Sequence, residues 1–110
     1  MAKMILIIED EVSIQNIIRA FLENAGYTVI LADNGLEGIE RFRASEAPVI
    51  LADEPTGNLD EDTARDITGI LKESAHRMNR CVVVVTHSGE LARQADVVLR
   101  LKKGVLVREQ

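Results

Sequence analysis

The sequence has no tryptophan, one tyrosine and two phenylalanines, so aromatics make up 3% of its 110 residues. That leaves little stacking surface for single-stranded nucleic acid. Positive charge is also short: 13 Lys and Arg stand against 18 Asp and Glu, a net charge of −5. This balance argues against a nucleic-acid backbone or an anionic membrane surface as partner. A single cysteine, Cys81, excludes an intramolecular disulfide. Lying in an apolar run, it reads as a small core residue in a reducing compartment. No apolar stretch reaches membrane-spanning length and no signal-peptide pattern opens the chain. No G-x-x-x-x-G-K-[ST] occurs, and no glycine is followed by lysine. The backbone cradle and lysine that hold a nucleotide phosphate are therefore missing. No internal repeat, low-complexity tract or linker divides the chain. The expectation is a soluble protein of cytoplasmic type, with neither nucleic acid nor membrane as partner.

What is present is aliphatic. Apolar residues make up 46% of a chain long enough for one core and not two. Met4–Ile8 is a continuous aliphatic run, the mark of a strand buried on both faces. Val12, Ile14, Ile17, Ile18, Phe21 and Leu22 recur at helical spacing, and Gly26 stops that helix. Tyr27–Ala32 reads as a second strand. Asn34 and Glu37 open a second helix in capping-box style, with Leu36, Ile39 and Phe42 on its core face. Val49–Ala52 is a third strand. Asp60, Glu61 and Asp62 put acceptors and negative charge at the start of a third helix, which turns Ile67, Ile70 and Leu71 inward. Cys81–Val85 is a fourth strand, aliphatic throughout. Ser88 caps a short helix running to about Gln94. Val97–Leu101 and Val105–Val107 flank Lys102–Lys103–Gly104 as a terminal hairpin.

Strands alternating with helices imply right-handed crossovers and a largely parallel sheet covered on both faces. Ligand sites in such sheets lie beyond the carboxyl ends of the strands. The polar residues at those ends are Glu9 and Asp10, Asp33, Asp53 and Glu54, and Thr86 and His87.

Two family resemblances follow. The first half, residues 1–47, resembles a response-regulator receiver through MILIIEDE and ENAGYTVILADNGLEGIERF. In that family the acidic pair after the first strand helps bind Mg²⁺, and an aspartate ending the third strand accepts a phosphoryl group. The second half, residues 48–110, resembles the C-terminal part of an ABC-transporter ATPase. PVILADEPTGNLD looks like a Walker B strand and D-loop, VVVVTHS like an H-loop, and ADVVLRLKKGVLV like the strands beyond. That pattern implies Asp53 on Mg²⁺, Glu54 polarising water, His87 at the γ-phosphate and Asp60 acting across a nucleotide-sandwich dimer. Walker A, Q-loop and ABC signature are all absent.

The combined resemblance implies one chimeric domain over residues 1–110, joined near Ala47–Pro48. Its expected fold is α/β and flavodoxin-like, a three-layer sandwich with strand order 2-1-3-4-5 and a C-terminal hairpin strand extending the edge. The expected reading is an engineered or recombined domain without an evolved catalytic function and with no required cofactor. Asp53, Glu54, Thr86 and His87 are then vestigial candidates. The first alternative is a receiver-like module in which Glu9, Asp10 and Asp53 bind Mg²⁺ weakly and Asp53 accepts a phosphoryl group. That chemistry also wants a lysine ending the fifth strand. Leu101 falls at its place, with Arg100 and Lys102 nearby. The second alternative is residual ABC-type nucleotide binding. His76 reads as a solvated helix residue and His87 as an exposed turn residue. A homodimer is expected through the sheet face or edge that lacks a receiver's last helix.

Overall fold

The computed structural model describes residues 3–109. Its elements are β1 (Met4–Ile8), α1 (Val12–Asn24), β2 (Thr28–Ala32), α2 (Gly35–Ser45), β3 (Val49–Asp53), α3 (Glu61–His76), β4 (Cys81–Val85), α4 (Gly89–Arg93), β5 (Leu99–Lys102) and β6 (Val105–Arg108). The first four strands form one parallel sheet in the order β2-β1-β3-β4. β1 is central, and Leu6, Ile7 and Ile8 are fully buried there, as its unbroken aliphatic run requires.

The chain steps from β1 to β2 in one direction and then back past β1 to β3. Right-handed crossovers therefore put α1 and α2 on opposite faces. The core lies under α2 and α3. Ile39 and Phe42 from α2, and Ile67 and Leu71 from α3, close over Leu6, Ile8, Ala32, Ile50 and Ala52. This packing joins residues before and after the expected seam at Ala47–Pro48 in one core, and Ala47 is wholly buried. The Cys81 N–H donates to the Pro48 carbonyl at 2.9 Å, so β4 starts level with Pro48.

Caps follow the sequence. The Asn34 side chain accepts from the Glu37 N–H, that of Asp60 from Thr63 and that of Ser88 from Leu91. Gly26 follows α1 at φ 97°, a left-handed position that glycine adopts without strain.

Three expectations need correction. The fifth strand does not join the sheet: β5 and β6 form a separate antiparallel pair with Leu99 opposite Arg108. The sheet order is thus 2-1-3-4, and its edge is β4. Second, β4 is not buried on both faces. Val82 and Val84 pack on the core, while Cys81, Val83 and Val85 are exposed. Cys81 is accordingly a surface thiol rather than a core residue. The physical reason is shared: α4 is five residues long with none buried, and β5 is elsewhere. Third, the apolar stripes are wider than the surfaces that bury them. Val12, Ile17 and Phe21 of α1 and Leu36 of α2 are exposed.

Candidate functional site

The site is built where β1, β2 and β3 end; Thr86 and His87, at the end of β4, do not line it. Beyond those ends lies a cleft of about 350 Å³ lined by Asp10, Asp33, Asp53 and Glu54, together with Asn34, Pro55 and Gly57 among others. Its position follows from the parallel sheet, whose crossovers leave a crevice where neighbouring connections run to opposite faces. None of the residues lining it carries a positive charge.

The acidic pair divides. Asp10 is exposed and reaches the cleft. Glu9 is 3% exposed and turns inward. Its Oε2 accepts the Glu11 N–H at 3.1 Å, and its Oε1 is buried without a hydrogen-bond partner. Among the described residues no three carboxylate, histidine or cysteine side chains are arranged to hold a metal ion. Asp10 and Asp53 thus share a cleft that Glu9 does not line.

Gln15 was not singled out by the sequence. It is buried on α1, and its amide donates to the Glu9 carbonyl at 2.5 Å and to Asp33 Oδ1 at 2.8 Å. It ties the end of β1 to the end of β2. A glutamine one turn into an amphipathic helix carries no sequence signal of that role.

Glu54 is positioned by the backbone. It takes a left-handed conformation, φ 47°, which a non-glycine residue adopts only when its surroundings impose it. Its N–H donates to the Val85 carbonyl at 2.8 Å, and its carbonyl accepts from Gly57 at 3.0 Å. The side chain then turns to β4's end. Oε1 accepts the His87 backbone N–H at 2.5 Å and Oε2 accepts the Thr86 hydroxyl at 3.2 Å. The Thr86 oxygen in turn accepts the Ser88 N–H at 3.0 Å. Glu54 and Thr86 are thus engaged with each other, closing the ends of β3 and β4 together.

Residues further away serve the scaffold. Asp60 caps α3, and hydrogen bonds from Thr63 hold its carboxyl below its ordinary value. His76 meets Asp96, with Nε2 2.9 Å from both carboxylate oxygens. Arg100 pairs with Glu109 across the end of the hairpin at 2.5 Å, which lowers the Glu109 carboxyl and raises the Arg100 guanidinium. Neither Arg100 nor Lys102 lines the cleft.

No family model matches the chain. Its sequence and its fold point to two different families. By sequence it is 42% identical over 66 residues to an ABC transporter ATP-binding protein of Bacillus subtilis, covering 60% of this chain and 29% of that protein. It is 43% identical over 72 residues to another from Methanocaldococcus jannaschii, covering 66% and 31%. The chain therefore spans about three tenths of the length of these relatives. By structure it matches the chemotaxis response regulator CheY4 of Vibrio cholerae, with a TM-score of 0.65 at 20% identity, over 86% of this chain and 78% of that one. It also matches a dimeric ATP-binding cassette bound to ADP and Pi, with a TM-score of 0.63 at 36% identity, over 69% and 33%. The receiver likeness shows the fold. The ABC likeness extends to sequence over about six tenths of the chain. No helix among the described residues is long and apolar enough to cross a membrane.

Proposed function

We propose that the chain is an engineered or recombined α/β module, receiver-like in its first half and ABC-ATPase-like in its second, with no evolved catalytic activity. The observation that carries this reading is the cleft: four carboxylates at the strand ends with no cation among them. An ATPase must hold a tetra-anionic nucleotide, and this surface repels it. The Walker B text is present without the glycine-rich turn and lysine that would position a nucleotide. Glu54, the residue an ABC enzyme would use on water, spends both oxygens on Thr86 and His87. The net charge and the lack of stacking surface favour a soluble protein without nucleic-acid or membrane partners, and the single cysteine fits a reducing compartment of cytoplasmic type. The exposed face of β4 supports self-association, as two copies.

Calorimetry with Mg-ATP tests the reading. The expected outcome is no binding in the micromolar range and no hydrolysis. Micromolar affinity that disappears in Asp53→Asn would overturn it.

A second reading is favoured by Asp10 and Asp53 lining one cleft. Crowded carboxylates suit a hard divalent cation, and Mg²⁺ needs only one or two of them plus water. Asp10 and Asp53 would hold the ion, and it would offset the charge that otherwise keeps an anionic phosphodonor from Asp53. Weak Mg²⁺ binding fits the residues present; efficient phosphoryl transfer fits less well, because no lysine reaches the site. Chemical-shift changes at Asp10 and Asp53 at millimolar Mg²⁺, lost in Asp53→Ala, are the expected signature. Unchanged spectra refute it.

A further inference from the structure

β4 is the open edge of the sheet, and its hydrogen bonds fix which groups are free. The Cys81 N–H donates to Pro48 and the Val85 carbonyl accepts from Glu54, both on the β3 side. Backbone groups alternate along a strand, so Cys81, Val83 and Val85 point theirs at β3. The N–H and C=O groups of Val82 and Val84 therefore point out of the sheet edge. Natural edges are guarded by charge, proline or a bulge. This one is CVVVV, paired in unbroken register along β3.

We infer that two copies of this chain pair β4 against β4 in antiparallel fashion, centred on Val83. This rests on the proposal that the protein self-associates, and commits it to one geometry. In an antiparallel pair centred on a residue whose own groups point away, the flanking residues form the hydrogen-bonded pairs. Val82 then lies opposite Val84 of the second copy, and Val84 opposite Val82. Every outward N–H and C=O of the two strands finds a partner. A two-fold axis at Val83 requires this self-complementary pattern.

On this edge the exposed large apolar side chains are Val83, 47% exposed, and Val85, 53% exposed. Pairing would take them out of water together with the outward backbone groups of Val82 and Val84, so one contact supplies both hydrogen bonds and apolar burial. Pairing the edges also sets the exposed Val83 and Val85 of both copies side by side on one face of a continuous sheet.

The geometry makes Cys81 a reporter. In this register Cys81 lies opposite Val85 of the second copy, as a pair not hydrogen-bonded to each other, with Cα atoms about 4.5 Å apart. That spacing lies inside the disulfide range. Light scattering of the unmodified chain should give twice the chain mass at high concentration, falling on dilution. Val85→Cys, mildly oxidised, should give a dimer band on a non-reducing gel that is lost with reductant and lost in Val85→Cys/Cys81→Ser. Val83→Lys sets two charges against each other on the axis and should weaken the dimer at least tenfold. Its side chain is already 47% exposed, so the fold should tolerate it, which circular dichroism checks. A chain that stays monomeric overturns self-association and this geometry together. A dimer that survives Val83→Lys and does not cross-link through Val85→Cys overturns the geometry alone, and one lost instead with Val107→Lys assigns the contact to the hairpin.

Discussion

The packing of α2 against the loop after β3 can be tested at Gly35. This residue begins α2 and is buried against that loop. A Cβ built there would collide with the Pro55 carbonyl oxygen and lie 3.3 Å from Ile67 Cγ2. The first obstacle is backbone and cannot rotate away. Pro55 is itself fully buried, so α2 or the loop must shift. Overpacking of this kind costs about 1–3 kcal/mol, and the entropy gained by replacing glycine returns less than about 1 kcal/mol. Gly35→Ala should therefore destabilise by about 1–2 kcal/mol. Gly69 is the control: it lies within α3, and a Cβ there meets nothing within 4 Å. Gly69→Ala should stabilise by about 0.8–1 kcal/mol from helix propensity alone. With a urea slope of about 1.5 kcal/mol/M, the two midpoints should move about 1 M down and about 0.6 M up. The measurement is equilibrium unfolding in urea, compared at unchanged slope. A midpoint for Gly35→Ala at or above that of the parent, with Gly69→Ala behaving as stated, would refute the packing of α2 against the loop after β3.

Glu54→Ala removes the acceptor for Thr86 and the His87 N–H at a partly exposed site; a loss of about 1–2 kcal/mol is expected, with the His87 amide signal moving upfield and exchanging faster. Unchanged exchange at His87 would count against the clamp. Asp60 has a depressed carboxyl pKa, so its contribution is complete above the ordinary aspartate value and fades as pH falls through the folded value. Asp60→Asn keeps a capping oxygen but does not titrate, so the unfolding midpoint should depend less on pH below about 4. An equal acid slope in both proteins would rule out that linkage. Gln15→Leu removes the donor shared by Glu9 and Asp33, and should loosen the loop after β2 without changing the sheet, read as faster amide exchange at Asp33 and Asn34. Unchanged exchange there would mean that the bond positions nothing.

Much of the fold was legible because caps and aliphatic runs are local. Asn34, Asp60 and Ser88 cap the helices that their side-chain oxygens suggested. The order of the first four strands followed from the receiver resemblance and is found. The failures are of a different kind. Cys81 reads as a core residue of an aliphatic strand, yet it faces outward with every second residue of β4. Composition reports what a strand could bury, whereas burial depends on which elements reach it. The same holds for Phe21, which sits on a well-formed helical stripe and is 75% exposed. In the site, the carboxylates were legible from where aliphatic runs stop. The division of labour between Glu9 and Asp10 was not, because it depends on which way two adjacent side chains leave the strand. Glu54 was singled out by resemblance alone; its left-handed backbone and its hydrogen bonds to Thr86 and His87 depend on the loop's path and carry no sequence signal.

The displacement of one strand links the anionic cleft to the open edge. In the expected order the fifth strand would lie beside β4 and bring its carboxyl end to the cleft. With β5 paired to β6 instead, Arg100 is turned to Glu109 and no cation reaches Asp10 and Asp53. The same displacement leaves the outward groups of Val82 and Val84 unmatched within the sheet and the Val83 and Val85 side chains uncovered. An anionic cleft with no counter-charge favours a cation over a phosphate, and an apolar edge favours a strand over water. A strand returned to the β4 edge would therefore act at both places. It would compete with dimer formation, and, if it ended in lysine, it would give the cleft the positive charge that a phosphoryl group needs.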